Sequence, residues 1–143
     1  MRKMSWLLAI SLAWLVMLVP AAMAGELSNG EEFSNAFVQG PYGFGFDGTL
    51  SGNRIAVVGQ FIANGQGFLA GQRTLNTGGP VLEQSFTCKY SVSGNGTGTA
   101  DCTINPGGSE ERYAFVLVNK GAAAHLIATF PAGAVLHATA MKQ

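Results

Sequence analysis

The stretch that most constrains this chain is residues 84–106, QSFTCKYSVSGNGTGTADCTINP. Two alternating runs flank Gly94-Asn95-Gly96. Period-two alternation around a glycine-asparagine turn is the strongest short-range hairpin signal. Symmetry about Asn95 sets Cys88 opposite Cys102, Tyr90 opposite Ala100 and Val92 opposite Gly98. The even-numbered strand positions, from Phe86 to Val92 and from Gly98 to Ile104, then form one apolar face that holds both cysteines. The odd-numbered ones, Thr87 to Ser91 and Thr99 to Thr103, form a polar face. A slip of one residue would mix the two sets, so the register is well specified.

The start of the chain reads differently. Arg2 and Lys3 are followed by an apolar run, Trp6 to Val19, broken only by Ser11; Pro20 and Ala22-Met23-Ala24 then supply a small-x-small cleavage site. This pattern predicts a secretory signal peptide over residues 1–24, cleaved after Ala24. The alternative, a membrane anchor, wants a run of ~20 apolar residues, longer than this one. No cysteine follows the cleavage site, so no lipid anchor is expected. The expected location is secreted or periplasmic.

Beyond Ala24, six basic residues stand against eight acidic ones. So few cations cannot form the phosphate-neutralising patch of a nucleic-acid binder. No apolar run remains there to span a membrane with a helix, so neither nucleic acid nor membrane is expected as a partner. Residues 25–143 suit one domain, which should bury about two-thirds of its chain surface. Two cysteines in an exported chain predict one disulfide, Cys88–Cys102. It closes a loop of ~15 residues, worth about 3 kcal/mol in the chain-entropy account. There is no CxxC, and two thiols alone make a poor metal site, so no metal and no cofactor are expected.

Residues 25–41 read as a lead-in that closes one end of the fold, with Phe33 and Phe37 four apart on a short helical turn. Eight strands follow, at Tyr42–Leu50, Ile55–Ala63, Phe68–Asn76, Val81–Val92, Thr97–Ile104, Arg112–Val118, His125–Phe130 and Val135–Met141. The connections are short and rich in Gly, Asn and Pro, which gives an antiparallel up-and-down meander. Eight such strands close into a barrel and so lose both exposed edges. The fold class expected is therefore all-β, an eight-stranded antiparallel up-and-down barrel over residues 42–143. A two-sheet sandwich is the alternative, but it needs long crossovers that the sequence lacks. The letters Gly43-x-Gly45-x-x-Gly48 match a dinucleotide fingerprint, yet no βαβ unit surrounds them.

Gly43-Phe44-Gly45-Phe46-Asp47-Gly48, residues 56–67 (AVVGQFIANGQG), residues 94–100 (GNGTGTA) and residues 114–118 (AFVLV) together resemble small secreted bacterial proteins with a calycin-like β-barrel. The resemblance covers most of residues 42–142. More distantly the layout is similar to lipocalins and to allene oxide cyclase and dirigent barrels. A lipocalin-like relationship implies binding of an apolar small molecule; a cyclase-like one implies a mould that steers a reactive substrate. No catalytic motif of either enzyme group is present, so no catalytic residue is assigned.

The candidate site is the aromatic set Phe44, Phe46, Phe61, Phe86, Tyr90 and Phe115. On one reading it lines a cavity for an apolar ligand, with Tyr90 as the polar handle. On the other it is a packed core, since an eight-stranded barrel is just wide enough for side chains. Gly98 and Ala100 on the same faces are expected to leave volume free. For Asp47 and Glu83 an ordinary rim ion pair with Arg54, Arg73 or Arg112 is the favoured reading; the alternative is a buried acid inside the barrel with one of these arginines as partner, which would be a site candidate. Glu110 and Glu111 are placed in a loop. A last hairpin centred between Ala132 and Gly133 would pair Ala128 with His137 and set His125 and His137 on opposite faces, where they share no metal. Strand 55–63 is apolar on both faces, and either a homo-oligomer interface or a covering N-terminal segment would cover the excess. The expected function is an exported barrel that binds a small apolar molecule; a cyclase or isomerase, or an interaction protein with a filled core, is the alternative.

Overall fold

The computed structural model describes residues 31–143, so the predicted signal peptide lies outside the described residues. Eight strands form a closed barrel in sequence order: β1 (Gln39–Leu50), β2 (Asn53–Asn64), β3 (Phe68–Asn76), β4 (Leu82–Val92), β5 (Thr97–Asn105), β6 (Ser109–Val118), β7 (Ala123–Phe130) and β8 (Ala134–Lys142). Every neighbouring pair is antiparallel, and β1 closes on β8 from Tyr42 opposite Lys142 to Leu50 opposite Ala134. Closure leaves no unpaired edge, which is why this short-looped meander is stable as a barrel rather than as an open sheet. No helix among the described residues is long and apolar enough to cross a membrane.

The central hairpin has the register expected from its symmetry. Cys88 stands opposite Cys102, Tyr90 opposite Ala100 and Val92 opposite Gly98. The two cysteines form a disulfide, with their Cα atoms 4.0 Å apart. The turn closes through Gly96, whose φ of 84° suits a residue without Cβ, and through the bond from Gly96 N–H to Ser93 C=O at 2.9 Å. Such a disulfide points to an oxidising, extracytoplasmic compartment.

Two local expectations are corrected. The last hairpin turns on three residues, Pro131-Ala132-Gly133, with Gly133 at φ 84°. The register therefore moves by one: His137 stands opposite Ile127 and His125 opposite Thr139. Both histidines lie on the outer face and are exposed, the reverse of the opposite-face placement. Likewise β6 begins at Ser109, so Glu110 and Glu111 belong to a strand and not to a loop. The ladder with β5 continues through Glu110 opposite Thr103 and Glu111 opposite Cys102, leaving a connection of Pro106-Gly107-Gly108.

One end of the barrel is covered by the segment that precedes β1. A 3-10 turn at Asn35–Phe37 presents Phe33 and Phe37, whose rings lie 5.0 Å apart. Phe33 N–H donates to Gly94 C=O at 3.1 Å, and the Asn35 side-chain oxygen accepts from Val92 N–H at 2.8 Å. Val38 is buried against the barrel interior. The segment thus ties to β4 and to the β4–β5 turn while its aromatic face covers apolar surface.

Candidate functional site

Inward-facing positions of all eight strands meet in one interior. At its centre is a cavity of about 70 Å³. All six residues of the aromatic set, Phe44, Phe46, Phe61, Phe86, Tyr90 and Phe115, line it, as do both disulfide cysteines. The rings pack on one another in offset and edge-on pairs: Phe44 lies 5.3 Å from Phe46, 5.9 Å from Phe61 and 5.7 Å from Phe86. These separations are those of favourable aromatic pairs.

The glycines of the inner face do not leave the space expected of them. Three stand directly opposite a phenylalanine on the next strand: Gly59 opposite Phe44, Gly71 opposite Phe86 and Gly98 opposite Phe115. In each pair the ring lies over the glycine, so that a methyl group on Gly71 would stand 2.7 Å from Phe86 Cζ and one on Gly59 would stand 2.6 Å from Phe44 Cζ. The volume that a side chain would have filled is filled from the neighbouring strand, an arrangement that also pins register. This is why the remaining cavity is small.

Three tyrosines enter the cavity wall, and each hydroxyl already has a partner. Tyr42 OH donates to Gly121 C=O at 2.6 Å, and Tyr90 OH donates to Val38 C=O at 2.7 Å. Tyr90 is therefore no free polar handle for a ligand: it anchors the covering segment. Burial raises the pKa of both phenols. Tyr113 OH donates to Glu111 Oε2.

Glu111 brings in a polar cluster that spacing alone did not single out. Arg73 on β3 also points inward and is only 9% exposed. Its Nη1 and Nη2 donate to the two Glu111 oxygens at 2.7 and 2.8 Å, and its Nε donates to Gln84 Oε1 at 2.9 Å. Such a two-pronged pair is the strong form of an ion pair. Burial works against both charges, but the mutual attraction and hydrogen bonds outweigh it. The Glu111 carboxyl is held below its ordinary value and the Arg73 guanidinium above. Burial first, then the adjacent carboxylate, pushes the Tyr113 phenol far up.

The interior acid is therefore Glu111 and neither Asp47 nor Glu83, which are both exposed on outward positions. Of the three arginines considered, Arg73 is the interior one; Arg112 lies outside, 3.4 Å from Asp101 and with its guanidinium over the Phe130 ring. Period-two extension of Tyr113, Phe115 and Leu117 by one step back reaches Glu111, the signal that places it inside. No cluster of three or more metal-ligating side chains occurs among the described residues. No protein-family model, curated protein or solved structure matches the chain, so the chemistry of the site is read from its own geometry.

Proposed function

We propose that this chain is an exported binding protein that holds a small apolar molecule inside its barrel, in the manner of the calycin-like barrels it resembles. The observation that carries the reading is the central cavity: about 70 Å³, walled by carbon, sulfur and aromatic rings, with every tyrosine hydroxyl on its wall turned to a protein partner. A ligand there gains by removing apolar surface from water, and the wall offers it no charge. An engineered apolar cavity of about 150 Å³ takes up benzene. On that scale the smaller volume here suits a molecule of about three heavy atoms without rearrangement. A larger ligand would have to turn the phenylalanine rings. The signal-peptide pattern and the disulfide support export to a secreted or periplasmic location.

The test is native mass spectrometry of the mature protein purified from its own compartment, followed by organic extraction, with xenon binding by NMR as the control for cavity access. A stoichiometric apolar passenger, or xenon shifts confined to the cavity wall, is the expected result. A clean apo mass with no xenon shifts overturns it. The glycine–phenylalanine packing supports a second reading, an interaction protein with a filled core. The cyclase or isomerase alternative has less support, because the Glu111 carboxylate is already engaged by Arg73 and Tyr113. For partners, we propose a second copy of the chain across residues 55–63, supported by Val58 and Ile62, 65% and 68% exposed on the outer face of β2.

A further inference from the structure

The wall of the cavity is held almost wholly by the sheet. Of the described residues that line it, Val38 alone lies outside the eight strands. The others belong to strands paired on both sides in a closed ladder, so their backbone cannot move aside without giving up ladder hydrogen bonds. Val38 belongs to the segment 31–38, which lies over the end of the barrel marked by the β4–β5 turn. That segment joins no ladder.

The bonds that hold it are few. Phe33 N–H donates to Gly94 C=O at 3.1 Å, Tyr90 OH donates to Val38 C=O at 2.7 Å, and Val92 N–H donates to Asn35 Oδ1 at 2.8 Å. The last bond fills a gap in the sheet. Gly67 C=O takes the Tyr90 N–H at 2.8 Å, and the β2–β3 connection then leaves Val92 N–H without a strand partner on that side. The Asn35 side chain supplies the acceptor. Beneath these bonds Phe33, Phe37 and Val38 pack on the core.

The opposite end is shut differently. Arg73 lies three residues before the end of β3 and Glu111 two after the start of β6, so both sit toward the β3–β4 and β5–β6 connections. Their two-pronged pair, with Gln84 on Arg73 Nε, ties β3, β4 and β6 together there. Opening that end separates two buried charges, which costs far more than releasing neutral hydrogen bonds whose groups then meet water.

We propose that segment 31–38 is a strap that lifts from the barrel end to admit and release the apolar ligand, with the Asn35 side chain as its latch. This rests on the binding reading given above and adds the route by which the cavity fills. Lifting the strap exposes Val38 and frees the Val92 N–H and the Tyr90 hydroxyl to water, while the sheet stays whole. Segments that gate a site come from the least tightly bonded part of a fold.

Cyclopropane, with three apolar heavy atoms, is the probe. Its association and dissociation rate constants are measured by NMR exchange on the methyl resonances of the cavity-lining Leu117 and Ile104. Three proteins are compared: wild type, Asn35→Ala, which removes the latch, and Gln84→Ala, which loosens the far end. One neutral hydrogen bond is worth about fivefold in an equilibrium. Both rate constants are therefore expected to rise about fivefold in Asn35→Ala, with little change in their ratio, and to stay at the wild-type values in Gln84→Ala. If cyclopropane binds and Asn35→Ala exchanges it no faster than wild type, the strap is a fixed wall: the proposal fails and the cavity reading stands. Faster exchange in Gln84→Ala than in Asn35→Ala puts the route at the other end and likewise overturns it. If cyclopropane does not bind the wild type, the cavity reading fails and takes the proposal with it. Should Asn35→Ala not fold, hydrogen exchange of the wild type decides. The Val92 amide, held by the latch, should then exchange well ahead of the Tyr90 amide, held by Gly67; a common rate for the two overturns the strap.

Discussion

Glu111 owes its place to strand parity. It lies two residues before Tyr113 and four before Phe115, so once β6 extends to Ser109 it must face inward, and its charge must be met there. Arg73 meets it. Removing one partner leaves the other buried and uncompensated, so Arg73→Leu alone should cost about 3–5 kcal/mol, while the double variant Arg73→Leu/Glu111→Leu should cost little or stabilise. Urea midpoints of the three proteins check this. The same pair predicts an acid response. The Glu111 carboxyl is depressed in the fold from its ordinary 4.5. Its stabilisation is therefore complete above that pH and is lost as pH falls through the lower folded value. The wild-type midpoint should drop more between pH 6 and pH 3 than that of the double variant. Tyrosine gives the opposite sign. Tyr42, Tyr90 and Tyr113 are all the tyrosines of the chain, and all are raised above 10.0. A raised phenol favours the fold below its unfolded pKa, and that contribution falls as pH rises beyond about 10. Phenolate absorbance should appear together with loss of tertiary structure; titration of the phenols in an intact fold would contradict it.

Among the elements, the hairpins divide by loop parity. The β4–β5 hairpin has its glycines and asparagine symmetrically about Asn95, and its pairs follow directly. The β7–β8 hairpin turns on three residues where a four-residue loop is equally readable, and one residue of difference carries His125 to the same face as His137. Inner-face packing is the second matter of elements. Alternating glycine reads as empty space along one strand, yet the space belongs to the ring of the next strand. Adding a methyl at Gly98 drives it into Phe115 and the Ser91 carbonyl. Gly98→Ala should therefore cost about 1–3 kcal/mol, and Phe115→Ala about 3–5. Because the two share one space, the double variant should cost less than the sum of the singles. Additive losses in a denaturation cycle would mean that the ring does not depend on the glycine.

At the scale of the whole molecule, closure of β1 on β8 satisfies the backbone, so what remains exposed is side chain. Val58 on β2 stands out because its partner on β1 is Gly45, which offers no side chain to cover it, and Ile62 stands between Pro41 on β1 and the small Ala70 on β3. If a second copy covers this face, the wild-type protein should run above its monomer mass in sedimentation, and Val58→Lys/Ile62→Lys should return it to the monomer with the fold unchanged. A wild-type monomer at all concentrations would remove the interface. The covering segment 31–38 acts at the same scale: it closes one end of the barrel through the Tyr90 and Asn35 bonds.

The amino-acid sequence alone determined the strand count, the antiparallel meander, the disulfide partners and which rings face inward. All of these follow from period-two alternation and from turn residues, which act over a few positions of chain. Tertiary structure decided what the interior is. The ring over each glycine, the meeting of Arg73 with Glu111 across 38 residues of separation, and the engagement of Tyr90 by the covering segment are contacts between strands distant in sequence. Local pattern says which way a side chain points; only closure of the barrel brings its partner, because the depth and the opposing residue depend on all eight strands at once.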